Sequence, residues 1–157
     1  MMTAIRGPRV VVDAGLAVKW IVEEPHSAEA QSLLNMWVET EVVITAPALL
    51  AFEVTNILFH RVRRKQFELD AAADALSALT ATRLALIRGE EAGLSDLAMQ
   101  VANTYRLPGT YGAVYLALAI RSECALWTAN YRLWRHVHHG APWVHWVGEV
   151  DARLTGH

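Results

Sequence analysis

The sequence lacks a second cysteine, since Cys124 is the single one among its 157 residues. An internal disulfide is therefore excluded, and we expect a reducing, cytoplasmic location. Long apolar runs are also absent: the richest window, residues 113–120, is followed at once by Arg121 and falls short of the roughly 20 residues of a membrane span. Residues 1–9 hold two arginines and a proline before a short apolar run, unlike a signal peptide. We expect neither a targeting segment nor a membrane-spanning helix.

An excess of positive charge is missing too. Lysine and arginine number 14 against 16 aspartates and glutamates, which gives a formal net charge of -2. A globally basic surface that grips nucleic acid is therefore excluded, and any such contact must come from a local patch. Glycine-rich phosphate loops are also absent, because neither a Walker sequence nor a GxGxxG after a strand occurs.

Apolar residues are abundant instead. They make up 54% of the chain, and charged residues make up only 19%. Such a composition is typical of a compact, well-buried fold rather than a disordered chain. The length fits one domain with one core, and no repeat or linker divides it. We expect residues 1–157 to form a single domain.

Short β-branched runs alternate with longer segments of helical periodicity. The first run ends at Asp13, which is typical of a buried parallel strand with a carboxylate at its carboxyl edge. Strands are predicted over residues 9–13, 41–45, 84–87, 125–128 and 143–147. Helices are predicted to begin near Gly15, Ser27 and Pro47, and to cover residues 67–82, 90–105, 111–121 and 131–137. This alternation predicts an α/β fold, a three-layer α/β/α sandwich with a central parallel sheet of about four or five strands.

Polar side chains fall where such a sheet would bind a ligand. Ligands of open parallel sheets sit at the carboxyl ends of strands, where Asp13 and the segment from Thr128 to Asn130 are expected. Glu53 lies early in a predicted helix, with Asn56 and His60 placed on the same face. Carboxylates from a strand end and a helix can converge on one cation, and Mg²⁺ prefers such oxygen ligands.

Four segments resemble the motifs of PIN-domain toxins of the VapC type, the ribonuclease half of toxin–antitoxin pairs. They span nearly the whole chain in the family's order and spacing. They are residues 10–20 (VVVDAGLAVKW), 46–58 (APALLAFEVTNIL), 111–119 (YGAVYLALA) and 126–133 (LWTANYRL).

The resemblance implies a PIN-like ribonuclease whose metal site has lost half of its charge. In the family, four carboxylates hold one or two Mg²⁺ or Mn²⁺ ions that activate water for phosphodiester hydrolysis. Carried over by position, Asp13 and Glu53 remain as metal ligands and catalytic residues, whereas the third acid falls on Gly112 and the fourth on Asn130. Asn130 would act as a weak third ligand, with Thr128 as a hydrogen-bonding support. We expect weak metal binding and severely reduced or absent hydrolysis.

Two other functions are open. The chain is, in the first alternative, a catalytically inactive PIN-like module that binds RNA or an antitoxin-like protein. The resemblance also implies a homodimer and a small antitoxin whose tail enters the acidic cleft. In the second alternative, Asp13 is the nucleophile of a phosphotransfer enzyme, but such sites need a second nearby acid, and Ala14 and Gly15 follow instead.

Several charged residues have a structural and a functional interpretation. The basic run formed by Arg61, Arg63, Arg64 and Lys65 either interacts with a helix dipole or contacts phosphate or an acidic partner. Glu23, Glu24 and Asp96 could replace the missing acids, although solvated surface acids are the simpler interpretation.

Histidine and cysteine have mainly structural interpretations. His136, His138 and His139 do not share one helical face, which favours a surface cluster over a metal site. His60 either donates a hydrogen bond in the cleft or is an ordinary half-buried histidine. Cys124 adjoins a predicted strand without a nearby basic residue, which favours a structural thiol.

Overall fold

Five parallel strands form the central sheet of the computed structural model, which describes residues 7–89 and 93–151. In chain order the elements are β1 Arg9–Val12, α1 Ala14–Ile21, α2 Ser27–Glu39, β2 Val43–Pro47, α3 Leu49–Arg63, α4 Leu69–Thr80, β3 Leu84–Ile87, α5 Leu94–Thr104, α6 Tyr111–Ser122, β4 Ala125–Thr128, α7 Tyr131–Val137 and β5 Val144–Trp146, followed by the 3₁₀ turn Val147–Glu149. The predicted α/β sandwich with a central parallel sheet is confirmed.

The strand order β3-β2-β1-β4-β5 places β1 at the centre of the sheet. The chain therefore runs outward on one side through β2 and β3, and on the other side through β4 and β5. The point where the direction changes lies between β1 and β4, whose Val11 and Leu126 are register partners. Ligands of doubly wound sheets bind at such a switch point.

The core is built on β1 and α6. Val10, Val11 and Val12 are all buried, because helices cover both faces of a central parallel strand. Helix α6 contacts β1, β2 and β4 and also packs against α5, whereas α1, α3 and α4 pack against one another. None of the described helices is long and apolar enough to cross a bilayer.

The predicted strands and helices are largely confirmed, but the second strand was predicted two residues too early, at 41–45, and the role of Pro47 was predicted wrongly. Pro47 does not open α3 but ends β2, where it pairs in register with Ile87. The next residue supplies the ladder hydrogen bond, since the amide of Ala48 donates to the carbonyl of Ile87 at 3.0 Å. Residues 90–92 of the predicted helix 90–105 lie outside the described residues.

Truncation of Leu116 tests the role of α6. Its side chain is fully buried beneath the sheet, so Leu116→Ala should lower the free energy of unfolding by about 2–5 kcal/mol, as measured by denaturant titration. Ile120 lies one turn further along the same helix and is 40% exposed, so Ile120→Ala should cost less than about 1 kcal/mol. Equal losses for the two variants would contradict this packing.

Candidate active site

The four positions predicted for the acidic metal site line a single cavity. Asp13, Glu53, Gly112 and Asn130 all line it, and its volume is about 510 Å³. It lies at the carboxyl ends of β1 and β4, between the beginnings of α1, α6 and α7. Four segments that are far apart in sequence therefore meet at the switch point of the sheet.

Asp13 joins three elements through its carboxylate. As the N-cap of α1 it accepts a hydrogen bond from the amide of Leu16 on Oδ1 at 3.0 Å. The same oxygen accepts from the amide of Ala129 at 3.2 Å, and Oδ2 accepts from the hydroxyl of Thr128. Thr128 in turn accepts from the amide of Asn130 at 2.9 Å. Thr128, which was predicted as a hydrogen-bonding support, therefore orients Asp13 from the end of β4.

Burial raises the pKa of the Asp13 carboxyl. The residue is only 8% exposed, and the loss of hydration raises the pKa of its carboxyl above the usual value. The hydrogen bonds from Thr128, Leu16 and Ala129 and the charge of Lys19 oppose this effect without cancelling it.

Glu53 is half-buried on α3 and is held by α6. The hydroxyl of Tyr115 donates to its Oε1 at 2.7 Å. Burial raises the pKa of Glu53, and the nearby charge of Asp13 raises it further, against the effect of the Tyr115 hydrogen bond. Burial and the Glu53 carboxylate together raise the pKa of Tyr115, so its proton stays on the hydroxyl. Tyr115 was missed as a site residue, although it stands three positions after Gly112 in the same motif.

Gly112 leaves space rather than an oxygen ligand. It is the second residue of α6, and a Cβ added there would meet only the methyl groups of Leu133, at 3.9 and 4.0 Å. This is ordinary van der Waals contact, so the backbone here accepts a Cβ at the lining of the cavity. Asn130 is exposed and caps α7, since its Oδ1 accepts from the amide of Leu133 at 3.1 Å. An aspartate caps a helix equally well.

Two cations also line the cavity, bridged by one acid. Glu24 accepts from Lys19 at 3.1 Å and from Arg61, which ties the loop after α1 to α3. The side chain of Glu24 is 14% exposed, so its interpretation as a solvated surface acid is wrong. The lining therefore carries three carboxylates (Asp13, Glu24, Glu53) and two cations, a formal sum of -1.

This donor set does not fit two divalent cations. Within the described ranges 7–89 and 93–151, no group of three or more histidine, cysteine, aspartate or glutamate residues is placed to hold a metal. Of the three carboxylates that line the cavity, Asp13 and Glu53 are not engaged in an ion pair, and each already accepts at least one hydrogen bond. Mg²⁺ demands near-ideal geometry, so these two ligands fit at most one weakly held ion.

Several other predicted residues lie outside this cavity. Asn56 and His60 are exposed, and Ile57 and Arg61, four and eight positions after Glu53, line the cavity in their place. The rest of the basic run is exposed.

Cys124 is half-buried, and burial raises the pKa of its thiol although Arg9 lies close enough to lower it. The expectation that Cys124 has no basic residue nearby is therefore wrong, but its thiol is still protonated.

The three neighbouring histidines have separate partners. His136 lies against the carbonyl of Tyr105 at 2.6 Å, and His138 stacks on Trp134 with ring centroids 4.4 Å apart. His139 is exposed beside His138. Their arrangement matches the predicted surface cluster.

Comparison with known proteins identifies the fold. No family model matches the chain, and no curated protein matches it. A chain in the crystal structure of VapBC2 from Rickettsia felis bound to a promoter DNA fragment superposes with a TM-score of 0.64 at 13% identity, over 88% of this chain and 96% of that one. A chain of a toxin–antitoxin complex from Klebsiella pneumoniae superposes with a TM-score of 0.60 at 16% identity, over 86% and 94%. The fold is PIN-like. At these identities the likeness extends to the fold alone.

Replacement of Asp13 should stabilise the protein. Because the pKa of Asp13 is raised above 3.8, its stabilising contribution is complete below that pH and is lost as the pH rises through the raised value. Asp13→Asn keeps a good N-cap and removes the ionisation. In the presence of EDTA at neutral pH we expect its melting temperature to exceed that of the unmodified chain by a few degrees, with the gap closing near pH 3.8.

Asp74→Asn is the matched control, since Asp74 is exposed on α4. Its melting temperature should follow that of the unmodified chain at each pH. A lower melting temperature for Asp13→Asn at neutral pH would mean that ionised Asp13 stabilises the fold.

Proposed function

We propose that this chain is a PIN-like ribonuclease of the VapC type whose metal-dependent cleavage is strongly attenuated. Asp13 and Glu53 hold the metal, Asn130 contributes a neutral oxygen, and Gly112 contributes no ligand. Mg²⁺ or Mn²⁺ is the cofactor, bound weakly. RNA is the substrate.

The observation that supports this proposal is the meeting of the four motif positions in one cavity. Residues 13, 53, 112 and 130 come from four separate elements, and a chance resemblance would not bring them together at the switch point of the sheet. The space beside Gly112 supports it further, because the third acid could be present without a clash. The cavity is a site from which charge has been removed while its shape has been kept.

Each remaining residue has a role that follows from its contacts. Glu53 and Asp13 present carboxylate oxygens to the cavity, and Tyr115 and Thr128 hold them in place by hydrogen bonds. A bound divalent cation stabilises the negative charge that develops on the phosphoryl oxygens during hydrolysis. Lys19 and Arg61 keep Glu24 neutralised at the edge of the cavity, so Glu24 does not replace a missing acid.

The second candidate is a catalytically inactive module that binds RNA or an antitoxin-like protein. It is favoured by the formal charge of only -1 on the cavity lining, which gives little attraction for a dication. The two similar structures contain toxin–antitoxin complexes, which supports an antitoxin-like partner for this chain. An arginine-bearing partner tail would find fewer carboxylates to pair with here than in a site with four acids. A homodimer is part of the same proposal.

Restoring the two acids separates these functions. We expect the variant with Gly112→Asp and Asn130→Asp to cleave a fluorogenic single-stranded RNA in Mg²⁺ or Mn²⁺ at least about a hundredfold faster than the unmodified chain, because even outer partners of metal ligands change metal affinity by 10–100-fold. Cleavage by either protein should disappear with EDTA and with Asp13→Ala.

The matched control is Gly112→Asn, which adds a side chain of the same size without the charge. It should cleave no faster than the unmodified chain. Equal rates for the unmodified and restored proteins would contradict attenuation. A folded restored variant without any cleavage would contradict the ribonuclease assignment itself, and metal-independent binding of RNA or of a partner would then be the remaining function.

A further inference from the structure

A second cavity adjoins the candidate active site. Its volume is about 560 Å³, and it lies between the turn after α5 and the exposed side of α7. It shares four lining residues with the acidic cavity: Tyr111, Gly112, Asn130 and Leu133. A strand that crosses the active site therefore reaches this cavity without leaving the protein surface.

The second cavity is basic, whereas the first is acidic. Arg106, Arg132 and His136 line it, and its lining includes no aspartate or glutamate. Within residues 7–89 and 93–151, the guanidinium groups of Arg106 and Arg132 form no hydrogen bond or ion pair. Two unpaired guanidinium groups at one concave site are suited to an anion with several oxygens, which they can bind through paired hydrogen bonds.

Arg106 occupies a backbone conformation that favours glycine. Its φ is 53°, and it follows the last turn of α5 as the left-handed residue of a Schellman motif, with the amide of Leu107 donating to the carbonyl of Ala102 at 2.9 Å. Glycine is the usual residue here because a Cβ is strained in this region. Glu41, Lys65 and Glu123 have the same left-handed conformation after other helices, so this is a common helix end in the chain, and at Arg106 it places the side chain at the basic cavity.

Two further residues that line the basic cavity, His136 and Tyr111, are suited to contact a nucleotide. His136 is fixed by the carbonyl of Tyr105, which accepts from Nε2 at 2.6 Å, so the other ring nitrogen is the one left for a ligand. Tyr111 stands at the border between the cavities and is 71% exposed. An exposed aromatic ring beside a basic groove is the arrangement on which single-stranded bases stack.

We propose that the basic cavity binds a phosphodiester group of single-stranded RNA, through Arg106 and Arg132, while Tyr111 stacks on a base of the same strand. The inference rests on the proposed function, since it takes the acidic cavity as the place where that strand is cleaved. Because the basic cavity lies on one side of the acidic cavity only, the bound RNA strand would leave the acidic cavity towards α5 and α7. An acidic peptide offers carboxylates but no base for Tyr111, so RNA fits this surface better.

Binding of a fluorescein-labelled single-stranded RNA, measured by anisotropy in EDTA, tests the proposal without cleavage. Arg106→Gly and Arg132→Gln should each weaken binding about tenfold and reduce the slope of log K against log salt by about 0.7 for each lost phosphate contact. Arg106→Gly relieves the strained backbone, so its melting temperature should equal or exceed that of the unmodified chain. A loss of affinity in this variant therefore does not come from unfolding.

Two matched controls define the site. Arg83 is exposed just before β3, at the amino edge of the sheet, so Arg83→Gln should leave affinity and salt slope unchanged. Tyr111→Phe should retain binding, and Tyr111→Ala should weaken it. Inorganic phosphate should compete only weakly, because it lacks the base. Complete displacement by phosphate at concentrations equal to those of RNA would mean a simple anion site and would overturn the assignment.

The outcomes distinguish this inference from the proposed function. Unchanged RNA affinity in Arg106→Gly and Arg132→Gln would overturn the inference even if the restored double variant cleaves RNA. Arginine-dependent binding without cleavage by any variant would sustain the inference as RNA binding and overturn the nuclease assignment. Arginine-dependent capture of a glutamate-rich peptide, with no affinity for RNA, would assign the cavity to a protein partner instead.

Discussion

The hydrogen bonds of one buried carboxylate hold the candidate site together. Asp13 follows the central strand directly, caps α1 through Leu16, and accepts from Thr128 and Ala129 at the end of β4. Because β1 and β4 lie on either side of the switch point, this carboxylate links the two halves of the sheet where the cavity opens. Burial of a carboxylate costs free energy, and the three donors reduce that cost here without cancelling it. Asp13 thus serves the architecture whether or not it binds a metal.

Gly112 and Asn130 contribute less to the fold than Asp13 does. Gly112 lies in the first turn of α6 with room for a Cβ in ordinary contact with Leu133, and Asn130 caps α7 as well as an aspartate would. An aspartate at either position would therefore add charge to the cavity without a new role in the strands or the helix starts. Carboxylates that share a small volume repel one another when no cation is present. Asp13, in contrast, is bound into the fold by its three hydrogen bonds.

The sequence was sufficient to predict most of the architecture and the central pair of acids. Strands such as residues 84–87 and 125–128 were recognised because β-branched and apolar runs end at polar residues, and Asp13 followed from the same pattern. Side-chain direction on α3 was not predictable from spacing alone. His60 was placed on the Glu53 face, in the cleft or half-buried, but it is exposed and Arg61 lines the cavity. The ion pair of Glu24 and the position of Arg106 were missed for a different reason. The ion pair of Glu24 with Arg61 joins residues 37 positions apart, and the left-handed backbone at Arg106 depends on how α5 ends. The first is a tertiary feature, and the second depends on the exact residue at which the helix ends.

Direct measurement of divalent metal binding tests the central claim, that this is a PIN-like site with its charge halved. Mn²⁺ titrated by calorimetry into the unmodified chain, into Asp13→Asn and into the variant with Gly112→Asp and Asn130→Asp would report affinity independently of catalysis. The account predicts no saturable binding in the micromolar range for the unmodified chain, and stoichiometric binding for the restored variant. Stoichiometric micromolar binding by the unmodified chain, abolished in Asp13→Asn, would show that two carboxylates suffice and would contradict the account.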